Sequence, residues 1–143
     1  MDLLKVFKYA LTHDLVEIQA GDTDSHNASE EQKNNKFDRE QEALNNIKER
    51  WQDFDGLHTS IEEYENKSSP ESESVYLMDK IQPVINTLLA KNSYYIDSKV
   101  SYEKYISWLD GKTNGLSRLP IEVREFLIEL KHFLKSKSKG FFF

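Results

Sequence analysis

The chain contains no cysteine, which excludes disulfides, thiolate metal sites and cysteine nucleophiles together. Only five glycines and three prolines punctuate its 143 residues, and long unbroken stretches predict helices. No window approaches the roughly 18 apolar residues that span a bilayer. The opening Met1-Asp2-Leu3-Leu4-Lys5 lacks the basic and apolar layout of a signal peptide. The expectation is a cytoplasmic protein with no membrane partner. Positive charge is also scarce. Nineteen Lys and Arg stand against 25 Asp and Glu, so the net charge is −6. Such a chain is a poor match for nucleic-acid polymers or anionic membranes. An anionic substrate has to be attracted by something other than net charge, and a metal cation can do so.

What is present suits one domain over residues 1–143. Hydrophobic residues make up 38% and aromatics 12%, enough for a modest core. Leu3, Leu4, Phe7, Leu11, Leu15 and Ile18 follow helical spacing and predict one helix over 3–18 with a buried stripe. Ala20-Gly21-Asp22 ends it. Ser29 and Gln32 form a capping box, so a second helix is expected from Ser29 to about Trp51. Its thin apolar stripe is Phe37, Ala43 or Leu44, Ile47 and Trp51. A short helix is expected near 57–66. Ser69 and Pro70 open the next one, with Val75, Met78, Ile81, Ile85, Leu88 and Leu89 read as buried. Residues 92–99 read as a turn or irregular segment. Helices are then expected from Tyr102 to about Asp110 and after Pro120. The last carries Ile121, Val123, Phe126, Leu127, Leu130, Phe133 and Leu134. Strand alternation is missing, so the class is all-α. The tail Phe141-Phe142-Phe143 either docks on the domain or meets a partner.

The polar residues of the first helix are grouped. His13 and Glu17 are i and i+4, and Asp14 and Glu17 are i and i+3, so all three lie along one side. Asp22 follows a flexible glycine and can fold back toward them. Imidazole and carboxylates arranged this way suit a divalent cation held through nitrogen and oxygen. A capped helix end with a solvated histidine is the other reading. Asp79 lies inside the apolar run Val75–Ile81, where a carboxylate is costly unless paired or bound to a metal. A salt bridge to Lys80 and a ligand role both satisfy that demand. Pro83 deprives the Asp79 carbonyl of its amide partner, which predicts a bent or loosened helix there.

Taken together, Ala10-Leu11-x-His13-Asp14-Leu15-x-Glu17-x-x-x-Gly21-Asp22 resembles the signature of HD-domain metal-dependent phosphohydrolases. The likeness is to the branch of 5′-deoxynucleotidases. Glu42-Ala43, Glu63-Tyr64-Glu65, and Ser69-x-Glu71 leading to Asp79-Lys80 extend it in order. The resemblance implies an HD-like helical bundle in which His13, Asp14 and Asp79 are three ligands of one divalent metal (Mn, Co, Mg, Fe, Ni or Zn). It implies that Glu17 and Asp22 handle the attacking water or its proton. The implied partner is a small phosphomonoester, a nucleoside 5′-monophosphate. The family's first ligand histidine lies on a helix upstream of the His-Asp pair, whereas none of the twelve residues before His13 is a histidine. The chain thus resembles an HD domain short of its first helix or two. That implies an apolar patch at Leu3, Leu4, Phe7 and Leu11, and homo-oligomers. It also keeps an alternative open, a helical interaction or dimerisation module without catalysis. His26, four residues past Asp22, is read as a solvated loop histidine or a replacement ligand. His58 and His132 are read as structural or surface residues.

Overall fold

A computed structural model of the chain describes residues 1–24, 28–54 and 56–143. Among them the fold is all-α, and no β-strand is present. Helix α1 (Leu3–Thr12) is capped by Asp2, whose carboxylate accepts from the Leu4 and Lys5 amides at 2.9 and 3.4 Å. It does not run on to residue 18. The Leu15 amide turns back to the Thr12 carbonyl and the Glu17 amide to that of Asp14, which tightens the chain into three-residue turns. Helix α2 (Glu17–Ala20) follows and stops at Gly21, whose φ of +76° few other residues adopt.

The capping box at Ser29 forms as expected. The Gln32 amide donates to Ser29 Oγ at 3.2 Å and the Ser29 amide to Gln32 Oε1 at 2.9 Å. The single helix expected up to Trp51 is split into α3 (Glu30–Asn34) and α4 (Lys36–Arg50). Asn35 sits between them at φ −86°, ψ −3°, a polar residue that competes poorly for helix. Helix α5 (Leu57–Glu65) leads to the long central helix α6 (Pro70–Ala90). Ser69 and Ser72 cap α6 reciprocally, with bonds of 3.1 and 3.0 Å. It runs unbroken through Pro83. A single-turn helix, α7 (Tyr94–Asp97), occupies the segment expected to be irregular. Helix α8 (Tyr102–Thr113) continues past Gly111, and α9 (Ile121–Ser136) follows Pro120.

Helix α6 is the spine. Helices α1 and α5 pack on it, α8 crosses it, and α9 packs on α8. Leu77, Ile81 and Val84 of α6 join Tyr95, Val100, Tyr105, Leu109 and Leu134 in the main core. The buried face of α6 is therefore turned from the one expected. Val75 and Ile81 are buried, Ile85 and Leu88 are half-buried, and Met78 and Leu89 are exposed. A helix apolar on most of its circumference leaves its phase to its neighbours. Phe37 on α4, Trp51 at its C-terminal cap, and Ile121, Phe126 and Phe133 on α9, all read as parts of buried stripes, are exposed as well; each of these helices buries only three residues.

Helix α1 shows the effect most clearly. At 100° per residue, Leu3, Leu4, Phe7, Leu11, Leu15 and Ile18 fall within an arc of about 120°. The opposite arc holds Val6, Tyr9, His13, Val16 and Ala20, and this is the side that faces inward, with Tyr9, Val16 and Ala20 buried. Leu3, Leu4, Phe7, Leu11 and Ile18 are exposed instead. Both faces are apolar. The inward one is held by directional bonds: the Tyr9 hydroxyl donates to Glu63 Oε2 at 2.6 Å, and the Asp2 amide donates to Glu71 Oε1 at 2.8 Å.

At the other end, Phe141 and Phe142 dock into the core and only Phe143 is exposed. Phe142 packs against Tyr95, Tyr105 and Tyr102 at ring distances of 5.0, 5.6 and 5.7 Å. Glu73, 1% exposed, accepts the amides of Ser117 and Arg118 at 3.2 and 2.7 Å. That carboxylate pins the α8–α9 connection to α6.

Candidate metal centre

The turn between α1 and α2 delivers His13 and Asp14, and α6 delivers Asp79 from the facing side. His13 is fixed first. Its Nδ1 lies 3.0 Å from the Ala10 carbonyl, so Nδ1–H donates there and Nε2 is turned toward the carboxylates. The ring packs against Tyr64 at 5.3 Å. Nε2 lies 3.1 Å from Asp14 Oδ1 and 3.9 Å from Asp79 Oδ1. One donor atom from each of the three residues lies within 4.8 Å of the others. His13 and Asp79 are mostly buried at 17% and 27% side-chain exposure, and Asp14 is 67% exposed.

One imidazole nitrogen and two carboxylate oxygens directed at one small volume repel one another unless a cation or a proton sits among them. One nitrogen and two carboxylate oxygens form a donor set that suits a divalent first-row metal. The residues present therefore fit such an ion. Asp79 divides its two oxygens, Oδ1 toward His13 and Oδ2 at 2.6 Å from Lys80 Nζ. The salt bridge and the convergence expected as alternatives thus coexist.

Glu17 lies one turn beyond Asp14. Desolvation raises its carboxyl above the ordinary range, the Asp22 charge adds to this, and Lys36 opposes it. Lys36 Nζ lies 3.9 Å from Glu17 Oε1 and 3.3 Å from Glu40 Oε1, tying α4 to this carboxylate. Burial, reinforced by the Asp79 charge, pushes the hydroxyls of Tyr64 and Tyr76 up, so both stay neutral hydrogen-bonding groups.

A cavity of about 410 Å³ opens beside the donors. Asp14, Glu17, Asp22 and Asp79 line it together with Lys36, Lys80, Tyr94 and Trp108. A smaller one of about 180 Å³ reaches His13 and Tyr64. The sequence pattern did not single out Lys36, Tyr94 or Trp108. Lys36 was one charge in a charged helix, and the aromatics lie in a segment distant in sequence. Among the other acids matched above, Glu63 binds Tyr9, Glu42 is exposed, and Glu40 rather than Glu42 meets Lys36. His26 lies outside the described residues. His58, on α5, is not among the converging donors and has its Nε2 3.2 Å from the Trp51 carbonyl, and His132 is exposed on α9.

A family model described as HD domain matches residues 1–117. The chain belongs to the HD-domain family, whose members are generally metal-dependent hydrolases and typically bind divalent metals. No curated protein and no solved structure matches it. No helix among the described residues is long and apolar enough to cross a membrane.

Proposed function

We propose that the protein is a metal-dependent phosphohydrolase of a nucleoside 5′-monophosphate, 5′-deoxynucleotidase-like in its substrate. The observation that carries this reading is the convergence of His13, Asp14 and Asp79 at the edge of a cavity that also holds cationic and aromatic groups. His13 Nε2, Asp14 Oδ1 and Asp79 Oδ1 would hold the cation. When bound, it neutralises phosphoryl charge and acidifies water.

The remaining steps belong to side chains. Lys36 and Lys80 draw the phosphate into an otherwise acidic cavity. Tyr94 and Trp108 offer flat apolar surface to a nucleobase. Glu17, its carboxyl raised above the ordinary range by desolvation, accepts the proton of the attacking water, and Asp22 at the rim helps set that affinity. The water oxygen bonds to phosphorus, the P–O5′ bond breaks, and the proton taken up by Glu17 passes through water to the departing O5′, so nucleoside and phosphate are released. Lys36 keeps Glu17 turned to the cavity, and Lys80 holds the second oxygen of Asp79 so that the first faces His13.

The exposed α1 face favours a second reading, an interaction module without catalysis. Phosphate release from deoxynucleoside monophosphates in the presence of Mn or Co separates the two. The first reading expects release that Asp79→Ala abolishes. Release that Asp79→Ala leaves unchanged, or no release from any nucleotide with any of these metals, would overturn it.

A further inference from the structure

The cavity beside the metal donors has two unlike walls. One comes from the α1–α2 turn and α6, and the two lysines beside it already face acids. Lys80 Nζ lies 2.6 Å from Asp79 Oδ2, and Lys36 Nζ lies 3.3 Å from Glu40 Oε1. The other comes from the loop after Gly21 and from α7, which place Asp24 and Tyr94 in the lining. That second wall is held in shape. Arg39 of α4 donates to the Ala20 carbonyl and, at 3.0 Å, to Thr23 Oγ1, which pins the loop. The Tyr94 hydroxyl lies 3.1 and 3.0 Å from the two carboxylate oxygens of Asp24, a bond across 70 residues of chain. Tyr94 is fixed in turn. Its amide donates to Asn92 Oδ1 at 3.1 Å, and its ring stands edge-on to buried Tyr95 at 5.2 Å.

What this wall recognises follows from its atoms. The Tyr94 hydroxyl turns its one hydrogen to Asp24, and a carboxylate accepts at about four positions. The pair therefore presents acceptors, which take a hydroxyl hydrogen from a ligand. It also presents negative charge. Five carboxylates line the cavity against two lysines, so the lining stays acidic even with a divalent cation among the donors. A second anionic group on the ligand is repelled there. Position decides which part of a nucleotide meets Asp24. Asp22 lies close enough to Glu17 to raise its carboxyl, and Asp24 follows two residues on, a span of at most about 7 Å. With the phosphoryl group at the donors, that reach meets the sugar, the part of a nucleotide next to its phosphate. At about 410 Å³ the cavity is near the lower end of ligand sites, about 300–1,000 Å³, so one mononucleotide fills it.

We propose that Asp24, held by Tyr94, reads the sugar of the substrate: it accepts the 3′-hydroxyl hydrogen and rejects a phosphate in that place. The substrate class narrows to nucleoside 5′-monophosphates with a free 3′-hydroxyl and no second anionic group. The identity of the ligand rests on the nucleotidase reading, but the preference does not need turnover to be measured. The test is therefore equilibrium binding, with phosphate release from the native chain assayed beside it. Isothermal titration of the Mn-loaded Glu17→Gln chain, which lacks the proton acceptor, should rank three ligands of each base. The 2′-deoxynucleoside 5′-monophosphate should bind best, its 2′,3′-dideoxy counterpart about ten-fold more weakly, and the 3′,5′-bisphosphate more weakly still. Adding Asp24→Asn keeps an acceptor and removes the charge, so the bisphosphate should gain on the monophosphate. Adding Asp24→Ala should abolish the preference for the hydroxyl as well. Asp24 is exposed, so circular dichroism should be unchanged in both variants. Equal binding of the three ligands, or preferences that Asp24→Ala leaves unchanged, would overturn the proposal, and phosphate release would then leave the nucleotidase reading standing. The expected preferences without any release would overturn the nucleotidase reading alone. No binding of any nucleotide would overturn both.

Discussion

From Leu77 to Phe142 the buried side chains join into one cluster, whereas residues 6–75 bury theirs in two small ones. The first cluster is rich in edge-on and tilted ring contacts, with Tyr95, Tyr105, Phe141 and Phe142 all within 4.9–5.6 Å of a neighbour. The other region leaves five large apolar side chains of α1 and α2 in solvent and turns charged groups inward. The difference is a division of labour. Like charges and lone pairs gathered in one place destabilise the region that holds them. The aromatic region supplies rigidity, and α6 conveys it by carrying Asp79 out of the main core toward His13.

Truncations in the aromatic region should therefore cost the most. Phe142→Ala should lower stability by about 3–5 kcal/mol, as buried aromatic losses do. Phe143→Ala, one residue on and exposed, should stay within about 0.5 kcal/mol. Urea unfolding of the pair measures the contrast, and equal effects would mean that the tail does not belong to the core. A smaller loss is expected at the joint between the regions. Glu73→Ala removes the buried acceptor of the Ser117 and Arg118 amides and should cost about 1.5–3 kcal/mol, as the loss of hydrogen bonds to a charged group does. The same unfolding experiment reads it.

The smallest effect should have the opposite sign. Glu17 has a folded-state pKa above its unfolded value, so ionising it costs the folded state. The cost is absent below the unfolded value and grows as pH rises to the folded value. Glu17→Gln should therefore be more stable than the native chain at neutral pH, by less than either truncation costs. That gain should vanish in acid. Asp22→Asn should bring the Glu17 midpoint down in an NMR titration, because the Asp22 charge helps to raise it. A Glu17 midpoint in the ordinary carboxylate range would remove the stated basis of its proton-accepting role.

Much of the fold was legible because its signals are local. The Ser29 and Ser69 caps, the Pro70 start and the helix after Pro120 all lie where sequence placed them. What sequence could not supply was phase. The wheel of α1 has two apolar faces, and the more leucine-rich one points outward because Tyr9 and Asp2 find long-range acceptors on the other side. On α6, Leu77 and Val84 are buried in place of Met78 and Leu89 because the core elements Tyr95, Leu109 and Leu134 meet that side of the helix. The grouping of His13, Asp14 and Glu17 was readable because helical spacing fixes it. Asp79 could be nominated only by its apolar surroundings and by resemblance. Lys36 carried no signal, since its meeting with Glu17 depends on how α4 packs against α2.

The central claim is that His13, Asp14 and Asp79 hold one divalent cation. A titration of the cysteine-free chain with Mn, followed by NMR of the histidine rings, tests it most directly. The account predicts one saturable site, with the His13 ring broadened first and His58 and His132 little affected, and loss of that site in Asp79→Ala. Equal broadening of His58 or His132, or undiminished binding in Asp79→Ala, would contradict it.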